Sequence, residues 1–475
     1  MKIAFVHYHL KPGGVTSVIR QQADVLHKAG VATLLFSGHE GAPSLAAPWV
    51  AVPGLSYDDR RDPGQSAQSV ADAIEAGIYG HWPQGADIVH VHNPTLAKNS
   101  MFQDILEILK TRGHRLLCQI HDFAEDGRPE CLFRQPYTRD CHYAVLNQRD
   151  YNLLLQAGLK ADGLHLLPNP VPPFAQGSEK YGRSTAPVLY PVRALRRKNI
   201  GEALLLTRFF KPPSPLLITL PPNSPQDIRS CQGWCSFAKK NDLKVTFDAG
   251  LSRPLASLLA DCRFILTTSI TEGFGYAFLE GWTASRSVRG RLLPEICMDF
   301  MDQGIGLDHM YTRLAVPLTW MGGDTVAHRW QSALTRAASR LGRTMTEASV
   351  QNAWQHVSQD GMIDFGLLNE ALQEKVILRL LRDRRARQAF IKINPMLDQN
   401  LCGPGPETAI ARNRKLIETC YHPQGYGRKL LHVYEQVMQK DVKHQVDKER
   451  LAEAFLAPAA FSLLKWEPYD GQIVI

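Results

Sequence analysis

The sequence predicts an α/β fold of two doubly wound domains with an added helical lobe, and three observations carry that prediction. Short apolar runs alternate with helical stretches in two successive series, the pattern of parallel sheets covered on both faces. A proline-rich VPPF and the polar segment 176–185 separate the two series and read as a linker, with the boundary near residue 182. At 475 residues the chain is longer than one hydrophobic core usually serves, so two or three domains are expected.

The first series opens with a strand over residues 3–7. Lys11, Pro12, Gly13 and Gly14 follow, and then a helix over about 16–29 whose inner face carries Val15, Val18, Ile19, Leu26 and Ala29. Gly30 stops it. Further strands are predicted at 32–37, 88–92, 116–120, 143–146 and 164–167. The second series begins with a strand at 188–192 and a helix over 200–209, and continues with strands at 216–220, 245–248 and 264–268. Beyond about residue 325 the chain is helix-rich. Leu368, Leu372, Val376 and Leu380 form an i, i+4 stripe, and Arg382, Arg384, Arg385 and Arg387 suit a helix C-terminus. Two more helices follow between 413 and 439, and a short one is predicted over 448–455.

Composition narrows the function classes. With 44% apolar and 21% charged residues the chain is neither disordered nor fibrous. A formal charge of +8 suits an anionic ligand and does not call for nucleic acid. The nine scattered cysteines fit a reducing cytoplasm better than a disulfide framework. Cys231 and Cys235 have no second pair or nearby histidine, which argues against zinc. The first ten residues are too short and too polar for a signal peptide, and no run of 18 apolar residues could cross a membrane. The arginine cluster near 382–387 leaves weak peripheral membrane contact open.

The chemistry concentrates in FILTTSITEGFGYAFLE, residues 264–280. An apolar strand breaks into a polar loop and re-enters a helix, with Gly273 and Gly275 allowing close backbone approach. The amides of about Phe274, Gly275, Tyr276 and Ala277 would open that helix and favour an anion such as phosphate. Glu272 lies in the loop, and Glu280 is expected about one turn inside the helix, so the two carboxylates would serve different parts of a ligand. Upstream, the strand at 188–192 runs into RALRRK, which places Arg193, Arg196, Arg197 and Lys198 between a strand end and a helix. A solvated cationic face is the alternative reading. His92 and His121 end two strands of the first series, where ligands of such sheets gather. The polar stretch after His121, with Glu125, Asp126, Arg128 and Glu130, suits either an acceptor-side loop or a solvated turn. The turn at Gly13 and Gly14 lacks G-x-G-x-x-G spacing, which disfavours NAD.

TEGFGYAFLE resembles the two-glutamate motif of retaining family-4 glycosyltransferases of GT-B fold, and the supporting motifs fall in the same order and domain position. They are the glycine turn at Gly13 and Gly14, His121, the stretch LPNPV at 167–171, Arg193 with Lys198 five residues later, and a proline-glutamate-isoleucine at 294–296. The resemblance covers residues 1 to roughly 300 and a last helix, 428–438, that crosses back onto the first domain. It implies an N-terminal Rossmann-like domain over 1–182, a donor domain over 183–324, a helical extension over 325–412 and a tail over 413–475.

It further implies transfer of a hexose, glucose or mannose, from a nucleotide diphosphate sugar to a small-molecule or glycan acceptor. Arg193 and Lys198 would neutralise the diphosphate, so no metal or other cofactor is needed. Glu272 would hold the sugar, Glu280 the ribose, and His121 the reacting face. Gly13, Gly14, Gly273, Phe274, Gly275, Tyr276 and Ala277 would complete the donor site. After Glu280 the pattern departs from the family, because arginines, among them Arg286 and Arg291, replace most glycines in the stretch that contacts the base, which leaves the base open. A GT-B phosphorylase or epimerase, and a binding protein without turnover, are the alternatives. The helical extension is expected to govern acceptor choice or oligomerisation.

Overall fold

The computed structural model describes residues 1–38, 47–62, 64–174, 186–397, 401 and 406–469. The chain divides into two compact units, one of residues 1–170 and 421–455, the other of residues 171–420 and 456–475. The boundary expected near residue 182 lies outside the described residues.

Unit 1 is a parallel sheet with helices on both faces. In chain order its elements are β1 (Lys2–His7), α1 (Gly14–Lys28), β2 (Ala32–Ser37), β3 (Trp49–Ala51), α2 (Ala67–His81), β4 (Ile88–His92), α3 (Phe102–Thr111), β5 (Leu116–Gln119), β6 (His142–Val145), α4 (Gln148–Gln156) and β7 (Leu164–Leu166). The strand order is β3-β2-β1-β4-β5-β6-β7, all parallel. Successive residues of β1 feed opposite cores. Ala4 and Val6 pack with Ile74, Ile105 and Leu106, whereas Ile3 and Phe5 pack with Leu26, Leu430 and Tyr434. That two-sided burial explains why the strands read as continuous apolar runs rather than alternating ones.

Helix Pro423–Gln439 closes the second of these cores. Its Tyr426 hydroxyl accepts from Gln22 Nε2 at 2.5 Å, and its Tyr434 hydroxyl lies 2.9 Å from His90 Nδ1. Truncating Leu430, fully buried here, would cost about 2–5 kcal/mol.

Unit 2 holds a second parallel sheet. Its elements begin with β8 (Val188–Arg193), α5 (Ile200–Leu206), β9 (Leu216–Leu220), α6 (Pro225–Lys240), β10 (Val245–Thr246), α7 (Ala249–Ser252), α8 (Leu255–Asp261), β11 (Ile265–Thr267), α9 (Glu280–Thr283), β12 (Val288–Gly290) and α10 (Pro294–Asp302). The strand order is β10-β9-β8-β11-β12. β13 (Ala315–Pro317), α11 (Gly323–Arg340), α12 (Glu347–Val357), β14 (Met362–Asp364), α13 (Glu370–Arg382) and α14 (Arg384–Ile393) follow. β13 and β14 pair antiparallel, an addition that no periodicity in three-residue runs could announce. Of the predicted stripe, Leu372, Val376 and Leu380 are buried on α13, and Leu368 is buried just ahead of it, before the Asn369 cap. Asp383 interrupts the run by capping α14, accepting from the amides of Arg385 and Ala386.

Two sequence expectations need correction here. No long helix follows the glycine loop: Tyr276–Phe278 is a 3-10 turn, and α9 is a single turn that ends before Ser285 at φ 58°. Glu280 is therefore the first residue of α9, not one turn inside a helix. The stretch expected to contact the base instead contains the strand β12, whose Val288 pairs in register with Ile265 of β11. Among the described residues no helix is long and apolar enough to cross a membrane.

Candidate active site

In unit 2 the cationic loop after β8 and the acidic loop after β11 are fastened to each other. The Tyr190 hydroxyl donates to the Lys198 carbonyl at 2.7 Å and lies 3.2 Å from the Ser269 hydroxyl. Thr268 Oγ1 donates to the carbonyls of Lys198 and Asn199, at 3.0 and 3.1 Å, and the Ile270 amide donates to the Arg197 carbonyl at 3.0 Å. Asn199, left-handed at φ 53°, turns the chain from this loop into α5.

That geometry brings two cations onto one carboxylate. Lys198 Nζ donates to Glu272 Oε1, and Arg197 Nη1 donates to Glu272 Oε2 at 3.3 Å and to the Thr271 carbonyl at 3.2 Å. Lys198 and Glu272 are each 8% exposed. Burial penalises the Glu272 charge, but Lys198 and Arg197 outweigh it and hold the carboxyl at about 2. Glu280 lies in the same field with the opposite result. Burial dominates, Lys198 opposes it, Glu272 adds to it, and the carboxyl is pushed up to about 7. Two carboxylates eight residues apart thus have their proton affinities driven apart, which is how one site gives two acids different tasks.

The remaining predicted residues divide. Arg193 does not join Lys198: its guanidinium donates to the Pro221 carbonyl at 2.6 Å, and Arg197 takes the place beside Glu272. Arg197 was one of four adjacent cations, and spacing alone could not choose among them. Gly275 is left-handed at φ 93°, and a Cβ there would lie 3.0 Å from both Ile296 and Phe278, so glycine is required. Phe274 is a core residue, its ring 5.7 Å from that of Phe300. Gly273, Tyr276 and Ala277 are half-buried in the same loop. With only a 3-10 turn there, side-chain cations rather than a helix terminus supply the positive charge. Arg286, Arg289 and Arg291 turn inward. Arg286 donates to the Cys262 and Ala260 carbonyls, Arg289 lies over the Phe264 ring, and Arg291 is buried between Glu202 and Asp364. They build the fold and are not placed to read a base.

In unit 1 the strand ends gather histidines. His121 is buried, stacks on His92 at 5.3 Å between centroids, and shares a 3.0 Å hydrogen bond between its Nε2 and His92 Nδ1. His7 Nδ1 donates to the His92 carbonyl at 3.2 Å. Burial lowers His121 to about 4 and His7 to about 3, so both rings are neutral at pH 7. Asn93 Oδ1 accepts from the amides of His121 and Asp122, at 3.3 and 3.0 Å, and fixes the loop that carries His121. The sequence signalled His121 but not its neighbour's grip on it. Gly13 and Gly14 are exposed, and neither its φ nor its surroundings requires glycine. The eight described cysteines are free thiols, and no cluster of potential metal ligands occurs among the described residues.

No family model matches the chain. Among curated proteins it is similar to the mannosylglucosyl-3-phosphoglycerate synthase of Petrotoga mobilis, 26% identical over 410 residues, 78% of this chain and 79% of that protein. Among solved structures it is similar to a sucrose-phosphate synthase from Thermosynechococcus elongatus, with a TM-score of 0.54, 14% identity and coverage of 92% of this chain and 98% of that one. The chain is a glycosyltransferase of GT-B fold. Anabaena HepE, solved in complex with UDP and glucose, is another similar structure of this glycosyltransferase's fold, at a TM-score of 0.52 and 11% identity over 92% of this chain and 99% of that one.

Proposed function

We propose that this glycosyltransferase is a retaining, family-4 enzyme that moves a hexose from a nucleotide diphosphate sugar to a small anionic acceptor. The observation that carries the reading is the convergence of Lys198 and Arg197 on Glu272, with Glu280 next along the chain in the same field. Two fixed cations suit a diphosphate leaving group. Each charge-assisted hydrogen bond to it contributes about 1.5–3 kcal/mol, and more of that is realised as charge develops on departure. Such a site needs no divalent cation.

In the unliganded chain Glu272 neutralises both cations. The incoming donor competes for them, the diphosphate taking Lys198 and Arg197 while the freed carboxylate accepts from sugar hydroxyls. Glu280, whose proton affinity is raised, takes the ribose. His121, neutral and held by His92, serves the transfer step, and retention follows from front-face attack guided by the departing phosphate.

The curated relative's name favours mannose as the sugar and a glucosylated phosphoglycerate as the acceptor; the UDP of the HepE complex keeps glucose open. Free cysteines in every described position support a cytoplasmic setting.

Thermal-shift screening with GDP-mannose, UDP-glucose and ADP-glucose selects the donor, because a ligand at 100 times its Kd stabilises by about 2.7 kcal/mol. Incubation of that donor with glucosyl-3-phosphoglycerate, followed by NMR of the new anomeric proton, reads acceptor and stereochemistry together. Absence of a shift with every nucleotide sugar would overturn the reading, and an inverted product would overturn its retaining mechanism.

A further inference from the structure

The cationic loop is held from behind by residues with no part in the proposed chemistry. Arg196 points away from Glu272. Its Nε and Nη2 donate to the two carboxylate oxygens of Glu370, at 2.6 and 2.8 Å, and its Nη1 donates to the Glu467 carbonyl at 2.5 Å. Its backbone amide donates to Asp227 Oδ1 at 2.8 Å, and the Ser230 hydroxyl donates to Glu370 at 2.8 Å. Arg196, Glu370 and Glu467 are all buried.

Glu370 opens α13 of the helical lobe. Glu467 belongs to the segment 456–469, which rejoins unit 2 after residues 421–455 have served unit 1. The Glu467 carboxylate accepts from Asn369 Nδ2 at 2.8 Å and from Arg329 Nε at 2.9 Å. Phe461 stacks on Trp466 and meets Trp330 of α11 edge-on. Lobe, returning segment and loop are therefore one hydrogen-bonded assembly within unit 2.

We propose that Arg196 is a positioning residue for donor binding, clamped by Glu370 and the returning segment so that Arg197 and Lys198 present their charges at Glu272. Three consecutive cations repel one another, and a three-residue 3-10 turn closed by a left-handed Asn199 has little local reason to persist. A planar guanidinium gripped on both edges fixes the orientation of the turn as a single hydrogen bond could not. A buried ion pair is a poor source of net stability, and its best-attested use is to specify one arrangement. The lobe thereby acts on the donor side, in place of the acceptor-side or oligomeric role expected from sequence. The inference rests on the reading of Arg197 and Lys198 as donor residues.

The test is calorimetric titration of the full chain with UDP, GDP and ADP, well below each variant's unfolding midpoint. Glu370→Gln and Arg196→Lys each remove one element of the fork, and each is expected to lose about tenfold in affinity, the size of an effect transmitted through a neighbour. Glu370→Asp keeps the charge and should recover part of the loss. Leu430→Ala, in the core of unit 1, lowers the midpoint without touching the loop or its clamp and should retain wild-type affinity. Lowered midpoints with unchanged affinity in both fork variants would make the contact merely structural and overturn the clamp alone. A wild type that binds none of UDP, GDP and ADP would overturn the donor reading, and the clamp with it.

Discussion

Replacing Glu272 by glutamine removes the negative charge that Lys198 and Arg197 share, and the cost can be worked from the carboxyl itself. Its proton affinity falls from an ordinary 4.5 to about 2 on folding, which at ~1.36 kcal/mol per pH unit corresponds to about 3 kcal/mol. Because the folded value is depressed, this stability is fully present above pH 4.5 and is lost as pH falls towards 2. Urea unfolding of wild type and Glu272→Gln, repeated between pH 7 and pH 2.5, should show a gap of about 3 kcal/mol at neutral pH that narrows below pH 4.5. The same variant leaves two cations without a competitor, so its affinity for a free nucleoside diphosphate should hold or rise while sugar transfer collapses. Equal stability of the two proteins at pH 7 would refute the ion triad, and a fall in diphosphate affinity would refute the competition.

The other sites give sharper contrasts. Lys198→Ala should weaken nucleoside diphosphate binding by about 1.5–3 kcal/mol, whereas Arg193→Ala should weaken it far less, since Arg193 is engaged with the Pro221 carbonyl; titration calorimetry separates them. Glu280→Gln should gain stability over wild type as pH rises through 7, because a raised folded value stabilises only at lower pH, and the gap should close below pH 4.5; urea midpoints across that range check it. His121→Asn should lower the transfer rate while leaving diphosphate affinity at its wild-type value. Transfer should persist in chelator, and loss restored by magnesium or manganese would contradict a site built on side-chain cations.

The sheets were legible because parallel strands buried on both faces leave continuous apolar runs; β2, β4 and β9 have the bounds their residues announce. The short edge strands β3 and β12 were not, since three residues carry no period and their pairing is set by β2 and β11. In the site, Lys198, Glu272 and Glu280 were readable from motif spacing. Arg197 was not distinguishable from Arg193 and Arg196, because which of four neighbouring cations faces which acid is fixed by Tyr190 on the preceding strand together with Thr268 and Glu370, which are far off in sequence. The depth of Glu280 was misjudged for a local reason. A left-handed Gly275 and the 3-10 turn Tyr276–Phe278 delay the helix until Glu280, and the left-handed Ser285 ends it after one turn.

Release of nucleoside diphosphate from a nucleotide sugar is the most direct test of the whole account. Wild-type protein, supplied with GDP-mannose or UDP-glucose and glucosyl-3-phosphoglycerate, should release diphosphate with acceptor-dependent turnover, and Lys198→Ala, Glu272→Gln and Glu280→Ala should each suppress it. Turnover undiminished in all three variants would place the donor elsewhere and contradict the claim that these loops are the active site.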